Sequence, residues 1–304
     1  MNNANNTSSI PPEFQKGWKP PFQTQERGPG SQGALDPKPI DDVLANGKPY
    51  RAAGKLEGRA ALVTGGDSGI GRATALLFAM EGAQLTLAYH PSEEADARDA
   101  ENAIKAKVPD AQVVLVPGDL RDEDVCIMLV ERHFRAWGKL DVLFLNHATQ
   151  QAHEDLTQIS SQQWRDVFDT NIHSFFYITK AAVPKMSAGG SIIFNASINP
   201  SIGHPELLDY TATKGAIVAY MRALSNQIVG DKGVRVNAVA PGPIWTPLIA
   251  ATMLEKGIKT FGDQVPMQRA GQPVEVATAC VFLASADSSY VSGQVMHVNG
   301  GVVI

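Results

Sequence analysis

From Leu56 onward, short apolar runs of strand length alternate with longer segments of helical period. This rhythm constrains the fold more than any other feature of the chain. Strands are predicted over residues 60–64, 85–89, 113–116, 142–145, 191–196, 234–240 and 295–298. Between them lie helical segments over 70–80, 92–107 (capped by Ser92), 122–137, from about Gln162, over 210–229 and over 273–283, the last with Pro273 in its first turn. Such alternation demands parallel strands joined by right-handed crossovers, with helices on both faces. No internal repeat competes with that reading. The 304 residues are more than one domain usually needs, yet α/β sheets of this size often form a single unit. The expectation is α/β: one doubly wound parallel sheet spanning 56–304.

Residues 1–55 have a different texture. They hold eight of the nineteen prolines but only five Leu, Ile or Val: Ile10, Leu35, Ile40, Val43 and Leu44. A segment so poor in apolar side chains cannot offset its own ordering entropy, so alone it should be disordered or extended. Gly28-Pro29-Gly30 and Asp36-Pro37-Lys38-Pro39 break any helix there. The two readings are a floppy tail and a Pro-rich arm draped over a neighbouring subunit.

Composition removes several function classes. The net charge of −5 offers no basic field for nucleic acid or an anionic membrane surface, so neither is expected as a partner. No apolar run approaches membrane-spanning length. Two cysteines, Cys126 and Cys280, both in helical segments, fit a reducing compartment and a cytoplasmic location rather than a disulfide scaffold. The first fifteen residues contain neither Lys nor Arg and no hydrophobic stretch, which argues against a signal or transit peptide and leaves the Asn5-Asn6-Thr7 sequon without a glycosylating compartment. No His-Glu-x-x-His pattern is present, His153-Glu154-Asp155 reads as a solvated loop, and no metal site is expected. Ser197 lacks the Gly-x-Ser-x-Gly elbow of a hydrolase.

The first strand runs into Thr64-Gly65-Gly66-Asp67-Ser68-Gly69-Ile70-Gly71-Arg72. Glycines at 65, 69 and 71 permit a tight turn and close approach of a pyrophosphate to a helix N-terminus. Glycine clusters are common in turns, but this one joins a buried strand to an apolar helix, as a dinucleotide site requires. The second strand ends at Tyr89-His90, where a carboxylate would grip the adenosine ribose hydroxyls of NAD(H). Without that carboxylate, and with His90 and Arg72 near, the balance favours NADP(H). NAD(H) stays open, because Glu93 and Glu94 are close and His90 reads equally as a solvated loop residue.

Of the six tyrosines, only Tyr210 has a lysine four residues on, Lys214. On a helix the two share a face, and an ammonium there lowers the phenol pKa towards working pH, as a proton donor and acceptor for a carbonyl–alcohol pair needs. In isolation the pair reads equally as a helix-surface contact. Ser197 ends the 191–196 strand at the carboxyl edge of the sheet, where its hydroxyl can reach the oxygen that Tyr210 protonates. Asn171 is a poor helix former inside a predicted helix; it reads as a helix-surface amide, or as a kink that frees a carbonyl for a water relay to Lys214.

These residues together resemble the short-chain dehydrogenase/reductases, NAD(P)-dependent oxidoreductases with one Rossmann domain. The resemblance covers about 56–303 and rests on 64–71, Gly118-Asp119-Leu120, Asn146-His147-Ala148-Thr149, Asn171, Ser197, Tyr210-x3-Lys214 and Pro241-Gly242-Pro243-Ile244-Trp245-Thr246. The N-terminal Asp36-Pro37-Lys38-Pro39 resembles an extended subgroup that includes general stress and glucose dehydrogenase-like proteins. It implies that Asp119 and its neighbour Leu120 meet the adenine, that Asn146 and Ala148 line the adenosine ribose, and that Pro241, Gly242, Ile244 and Thr246 flank the nicotinamide. It implies Tyr210 as acid/base, Ser197 as the carbonyl-orienting hydroxyl, Lys214 on the nicotinamide ribose and Asn171 in the relay. A homotetramer, or a dimer, through the helices carrying Asn171 and Tyr210 is implied too, Ala212, Ala216 and Ala219 allowing close packing.

Two departures concern the pocket: His147 stands where Asn is usual and Thr149 where Gly is usual. His147 reads as a packed substitute or as an extra polar group near the site. Substrate selection is expected from 198–209, with His204 and Glu206, and from a lid over about 245–271 whose Leu248, Ile249, Met253 and Leu254 line a pocket or pack on its rim. The expected activity is interconversion of a small alcohol and a ketone or aldehyde. Dehydration or epimerisation without net redox, and a non-catalytic dinucleotide sensor, are the alternatives.

Overall fold

The computed structural model describes residues 10–25 and 30–304; the sequon and the Gly28-Pro29 break lie outside them. Seven parallel strands form one sheet in the order β3-β2-β1-β4-β5-β6-β7. They are β1 (Ala60–Thr64), β2 (Gln84–Tyr89), β3 (Val113–Pro117), β4 (Val142–Leu145), β5 (Ser191–Asn195), β6 (Arg235–Pro241) and β7 (Val295–Val298). The strand order reverses between β1 and β4, whose pairing sets Ala61 against Val142 and Val63 against Phe144. A crevice opens beyond the carboxyl ends of the strands at such a switch point.

Helices cover both faces because alternate strand residues feed two cores. Ala61, Val63, Leu85, Leu87 and Phe144 pack towards α1 (Gly69–Met80), α2 (Glu94–Lys107) and α10 (Pro273–Ala284). Leu62, Leu143, Leu145, Ile192 and Phe194 pack towards α3 (Glu123–Trp137), α5 (Ser174–Ala182) and α7 (Leu208–Lys232). Every residue of β1 is buried. Each large side chain so enclosed contributes about 1.5–3 kcal/mol. The predicted doubly wound sheet is therefore present, and both cysteines lie buried and free in α3 and α10.

Local differences have local causes. Ser92 does not cap α2: it sits in a 3-10 turn, Pro91–Glu93, whose N-cap is His90, and α2 starts at Glu94. The long helix expected from Gln162 is α4 (Ser161–Phe168), then a π-helical turn Asp169–His173 around Asn171, then α5. The π-turn is the kink expected there.

The described part of the arm packs on its own chain. Its few apolar residues are well placed: Phe14 joins the α1/α10 core, and Leu35, with Trp18, packs on Trp245 and Ala250. Polar side chains do the rest. Glu81, at the end of α1, accepts from the Tyr50 hydroxyl and from the amides of Ala53 (3.0 Å) and Lys55 (2.8 Å). Arg72 pairs with Asp41 at 2.9 Å and with Asp99 at 2.8 Å. Hydrogen bonds to ionised groups are worth about 1.5–3 kcal/mol, enough to order a segment that hydrophobic burial alone would leave loose.

Candidate active site

A cleft of about 390 Å³ follows the carboxyl edge of the sheet. It runs from Tyr89, His90 and Asp119 at one end, past Gly65, Asp67, Ser68, Gly69 and Ile70, to Ser197, Tyr210 and Lys214 at the other. Leu120, Asn146, Ala148, Pro241, Gly242, Ile244 and Thr246 complete its walls. Of the sequence-predicted site residues, Thr64, Gly71 and Asn171 lie behind the wall.

Their positions explain their identities. A Cβ on Gly71 would stand 1.9 Å from the Gly65 carbonyl oxygen, so this glycine is needed for the loop to close on α1. Gly69 has φ of 51° and faces Thr246, whose Cγ2 would be 3.1 Å from an added Cβ. The Thr64 hydroxyl accepts from the Asn146 amide at 2.9 Å. Asn171 is fully buried: its Oδ1 accepts from the Thr149 amide at 2.8 Å, and its Nδ2 donates to the Thr149 carbonyl (2.9 Å) and the Thr213 hydroxyl (3.1 Å). The side chain thus fixes the β4 loop against the π-turn.

At the catalytic end, Ser197 and Tyr210 face the cleft together, and the Ser197 hydroxyl accepts from the Asn199 amide at 3.1 Å. Lys214, 1% exposed, donates from Nζ to the Asn195 carbonyl at 2.6 Å and lies 5.3 Å from the Tyr210 ring centroid. Asn195 Nδ2 donates to Asn146 Oδ1 at 2.8 Å, and Asn146 Nδ2 donates to the Thr64 and Gly65 carbonyls at 3.1 and 3.0 Å. One polar chain therefore links Lys214 to the glycine loop. Asn195 had no motif to reveal it; its signal is its place one strand residue beyond the apolar run.

The electrostatics differ from the sequence expectation. Burial pushes Tyr210 up to about 12, partly opposed by the Ser197 hydroxyl. Burial also brings Lys214 down to about 7, leaving its positive charge only partly present at neutral pH.

The far end of the cleft is acidic. Burial, then the charges of Asp67 and Asp96, pushes Glu93 up to about 8, and burial raises Asp67 to about 6. Glu93, noted from the sequence, and Arg121, which was not singled out, both line the cleft there. Arg72, held by Asp41 and Asp99, is outside the cleft and is withdrawn as a phosphate ligand. His90 is exposed, its Nδ1 2.8 Å from the Ser92 hydroxyl. Asp119 is held by Arg121, Nη2 to Oδ2 at 2.6 Å, which keeps its carboxyl below the usual range.

His147 is a packed substitute that also lines the cleft. Nδ1 lies 2.7 Å from the Thr64 hydroxyl and Nε2 2.8 Å from that of Ser174, and burial depresses its pKa to about 3, so the ring is neutral. Leu248 and Ile249 line the cleft, whereas Met253 and Leu254 do not. His204 and Glu206 are also outside it; Glu206 pairs with Lys256 at 2.8 Å. Among the described residues no cluster of His, Cys, Asp and Glu could hold a metal ion, and His153 bonds Gln163 at 2.7 Å instead.

The donor set fits a dinucleotide. Ser68, Gly69 and Ile70 open the N-terminus of α1 onto the cleft, and three buried side-chain oxygens of lining residues, Asp67 Oδ1, Glu93 Oε1 and Asn195 Oδ1, have no partner. A family model described as Enoyl-(Acyl carrier protein) reductase matches residues 65–303. The chain belongs to the short-chain dehydrogenase/reductase superfamily. It is 48% identical over 297 residues to the glucose and ribitol dehydrogenase homolog of Oryza sativa, covering 93% of this chain and 97% of that one. It is 45% identical over 286 residues to NADPH-dependent aldehyde reductase 1 of Arabidopsis thaliana, covering 93% and 98%. Levodione reductase superposes with a TM-score of 0.77 at 30% identity, covering 81% of this chain and 97% of its own. Two further superfamily structures differ in nucleotide. A Burkholderia cenocepacia short-chain dehydrogenase in complex with NADP has 25% identity and a TM-score of 0.75, covering 81% and 98%. A Brucella melitensis 3-ketoacyl-(acyl-carrier-protein) reductase complexed with NADH has 27% identity and a TM-score of 0.73, also covering 81% and 98%. This short-chain dehydrogenase/reductase is an oxidoreductase of the NAD(P)-binding type, and its superfamily acts on small molecules. No described helix is long and apolar enough to cross a membrane.

Proposed function

We propose that the protein interconverts a small ketone or aldehyde and its alcohol, using NADP(H) in preference to NAD(H). The observation that carries this reading is the convergence of Ser197, Tyr210 and Lys214 at the end of a cleft whose middle is the open N-terminus of α1. When bound, the nicotinamide supplies or accepts hydride at its C4. Ser197 holds the substrate oxygen, and Tyr210 gives its proton to that oxygen in reduction and recovers it in oxidation. Such a positioned acid is worth about 10²–10⁴-fold in rate. Lys214, when charged, lowers the cost of the phenolate left behind, and its proton is replenished from solvent by a water relay that a carbonyl of the π-turn carrying Asn171 would anchor. Residues 245–271 act as the lid, with Leu248 and Ile249 touching substrate.

The NADP(H) preference is supported by Tyr89 in place of a carboxylate and by Arg121 and His90 at the same end. Glu93 is compatible with a 2′-phosphate while neutral and repels it once ionised. NADPH should therefore bind more tightly than NADH at pH 7, and the advantage should shrink as pH rises through about 8. Fluorescence titration with both nucleotides at pH 7 and 9 tests this. Glu93→Gln should keep the NADPH advantage at pH 9, and a stronger affinity for NADH at pH 7 would overturn the preference.

We further propose a homotetramer, or a dimer, through α4, α5 and α7, supported by Trp164 and Phe176, 40% and 45% exposed on α4 and α5. A cytoplasmic location is supported by two cysteines that stay free and buried.

A further inference from the structure

The arm touches the cleft from behind at two places. Gln32 is 4% exposed, and its Oε1 accepts from the Gly69 amide at 3.1 Å. That amide is the first of α1, and Ser68 in the N-cap position supplies no side-chain cap. Gln32 is itself held: the amides of Gln32 and Gly33 donate to the Asp96 carboxylate at 3.0 and 3.1 Å, and the Ser31 hydroxyl at 3.2 Å. A few residues away the arm grips 245–251. The Trp245 indole donates to the Pro37 carbonyl at 3.0 Å, and the Gln25 amide donates to the Ala250 carbonyl at 3.2 Å. At Gly30 a Cβ would stand 2.6 Å from the Pro247 carbonyl oxygen, so arm and α8 (Pro247–Thr252) touch backbone to backbone.

One short stretch thus bonds both the glycine loop and the base of the lid. Levodione reductase, matched over nearly all its length, leaves about a fifth of this chain, a share comparable to the arm, without a counterpart. We propose that the arm is an intramolecular clamp and that Gln32 is a positioning residue, fixing the start of α1 for the dinucleotide pyrophosphate and setting the lid base against it. A glycine-rich loop is otherwise free to sample many backbone states, and donors fixed in advance bind an anion without that ordering cost. By linkage, nucleotide binding must in turn stabilise the arm. The inference rests on the dinucleotide reading of the cleft.

Two full-length variants test it, Gln32→Ala and Gln32→Glu, with nucleotide Kd, kcat at saturating nucleotide and melting temperature measured for each. Gln32→Ala removes the cap and should raise the Kd of NADPH and NADH alike by about fivefold, with kcat nearly unchanged. Gln32→Glu keeps an acceptor for the Gly69 amide but sets a carboxylate behind the pyrophosphate. It should weaken nucleotide binding more than Gln32→Ala does while melting no lower. Wild-type Kd values in both variants, with only the melting temperature moved, would overturn the proposal. Should the variants fail to fold, hydrogen exchange of the wild-type protein decides: NADPH should slow exchange in residues 30–37, and unchanged exchange there would overturn the proposal. Failure of the wild-type protein to bind either nucleotide would remove the dinucleotide reading and this inference with it. Normal wild-type binding with unaffected variants would remove the inference alone.

Discussion

The catalytic wall and the N-terminal arm are built on opposite plans. Ser197, Tyr210 and Lys214 stand just beyond β5 and on α7, and their partners lie within about twenty residues: Lys214 bonds the Asn195 carbonyl, and Ser197 accepts from the Asn199 amide. The arm has almost no regular structure and is held by single bonds to distant positions, such as Gln32 to Gly69, Ile40 to Gln272 and Trp245 to Pro37. Rigid elements place groups whose geometry the reaction depends on. Long-range polar bonds tie down a segment that has no periodic face to bury.

Substitutions on the wall should cost turnover and spare stability; substitutions in the arm's apolar anchor should do the reverse. Lys214→Met removes the charge beside Tyr210 and should lower kcat by about 10²–10³-fold with the fold intact, as steady-state rates and circular dichroism would show. In the wild-type protein, kcat/KM for carbonyl reduction should fall as pH rises through about 7, because Lys214 is charged below that value and neutral above it. A profile flat from pH 6 to 9 would deny Lys214 that part. On the arm side, Trp245 is fully buried against Leu35, and Trp245→Ala should cost about 3–5 kcal/mol in denaturant unfolding. If it unfolds like the wild type, the arm's apolar anchor contributes little.

His147 lies between the two plans, bridging Thr64 and Ser174 as a neutral ring. The folded protein binds its proton only near pH 3, whereas an unfolded histidine titrates near 6.5. The stability it contributes is complete above about pH 6.5 and is lost as pH falls towards 3, at up to about 1.4 kcal/mol per pH unit. His147→Asn should flatten that part of the acid unfolding curve, leaving the slope due to His133, which burial depresses to about 4.

The same contrast explains what the sequence made legible. Every predicted strand is present; the central β1 is buried along its whole length and reads in the sequence as a mostly apolar run, Ala60–Thr64. The kink at Asn171 was legible because asparagine conflicts with a helix interior. Gln32 and Arg121 were not, since one polar residue in a loop carries no period and gains its role from a partner elsewhere in the fold. Arg72 misled for the same reason. Its nearness to the glycine loop in sequence said nothing of Asp41, which draws it out of the cleft. The pKa of Lys214 was hidden too, because the spacing Tyr210-x3-Lys214 shows proximity but not the depth at which the pair is buried.

The most direct test of the account is a comparison of wild type and Tyr210→Phe at saturating NADPH with a small aldehyde, alongside the NADPH Kd of each. The phenolic hydroxyl is the only group removed, and Ser197, Lys214 and the glycine loop remain. Turnover should fall by about 10²–10⁴-fold while the Kd stays close to wild type. Equal turnover in the two proteins would contradict the assignment of Tyr210 as proton donor, and with it the proposed chemistry of the cleft.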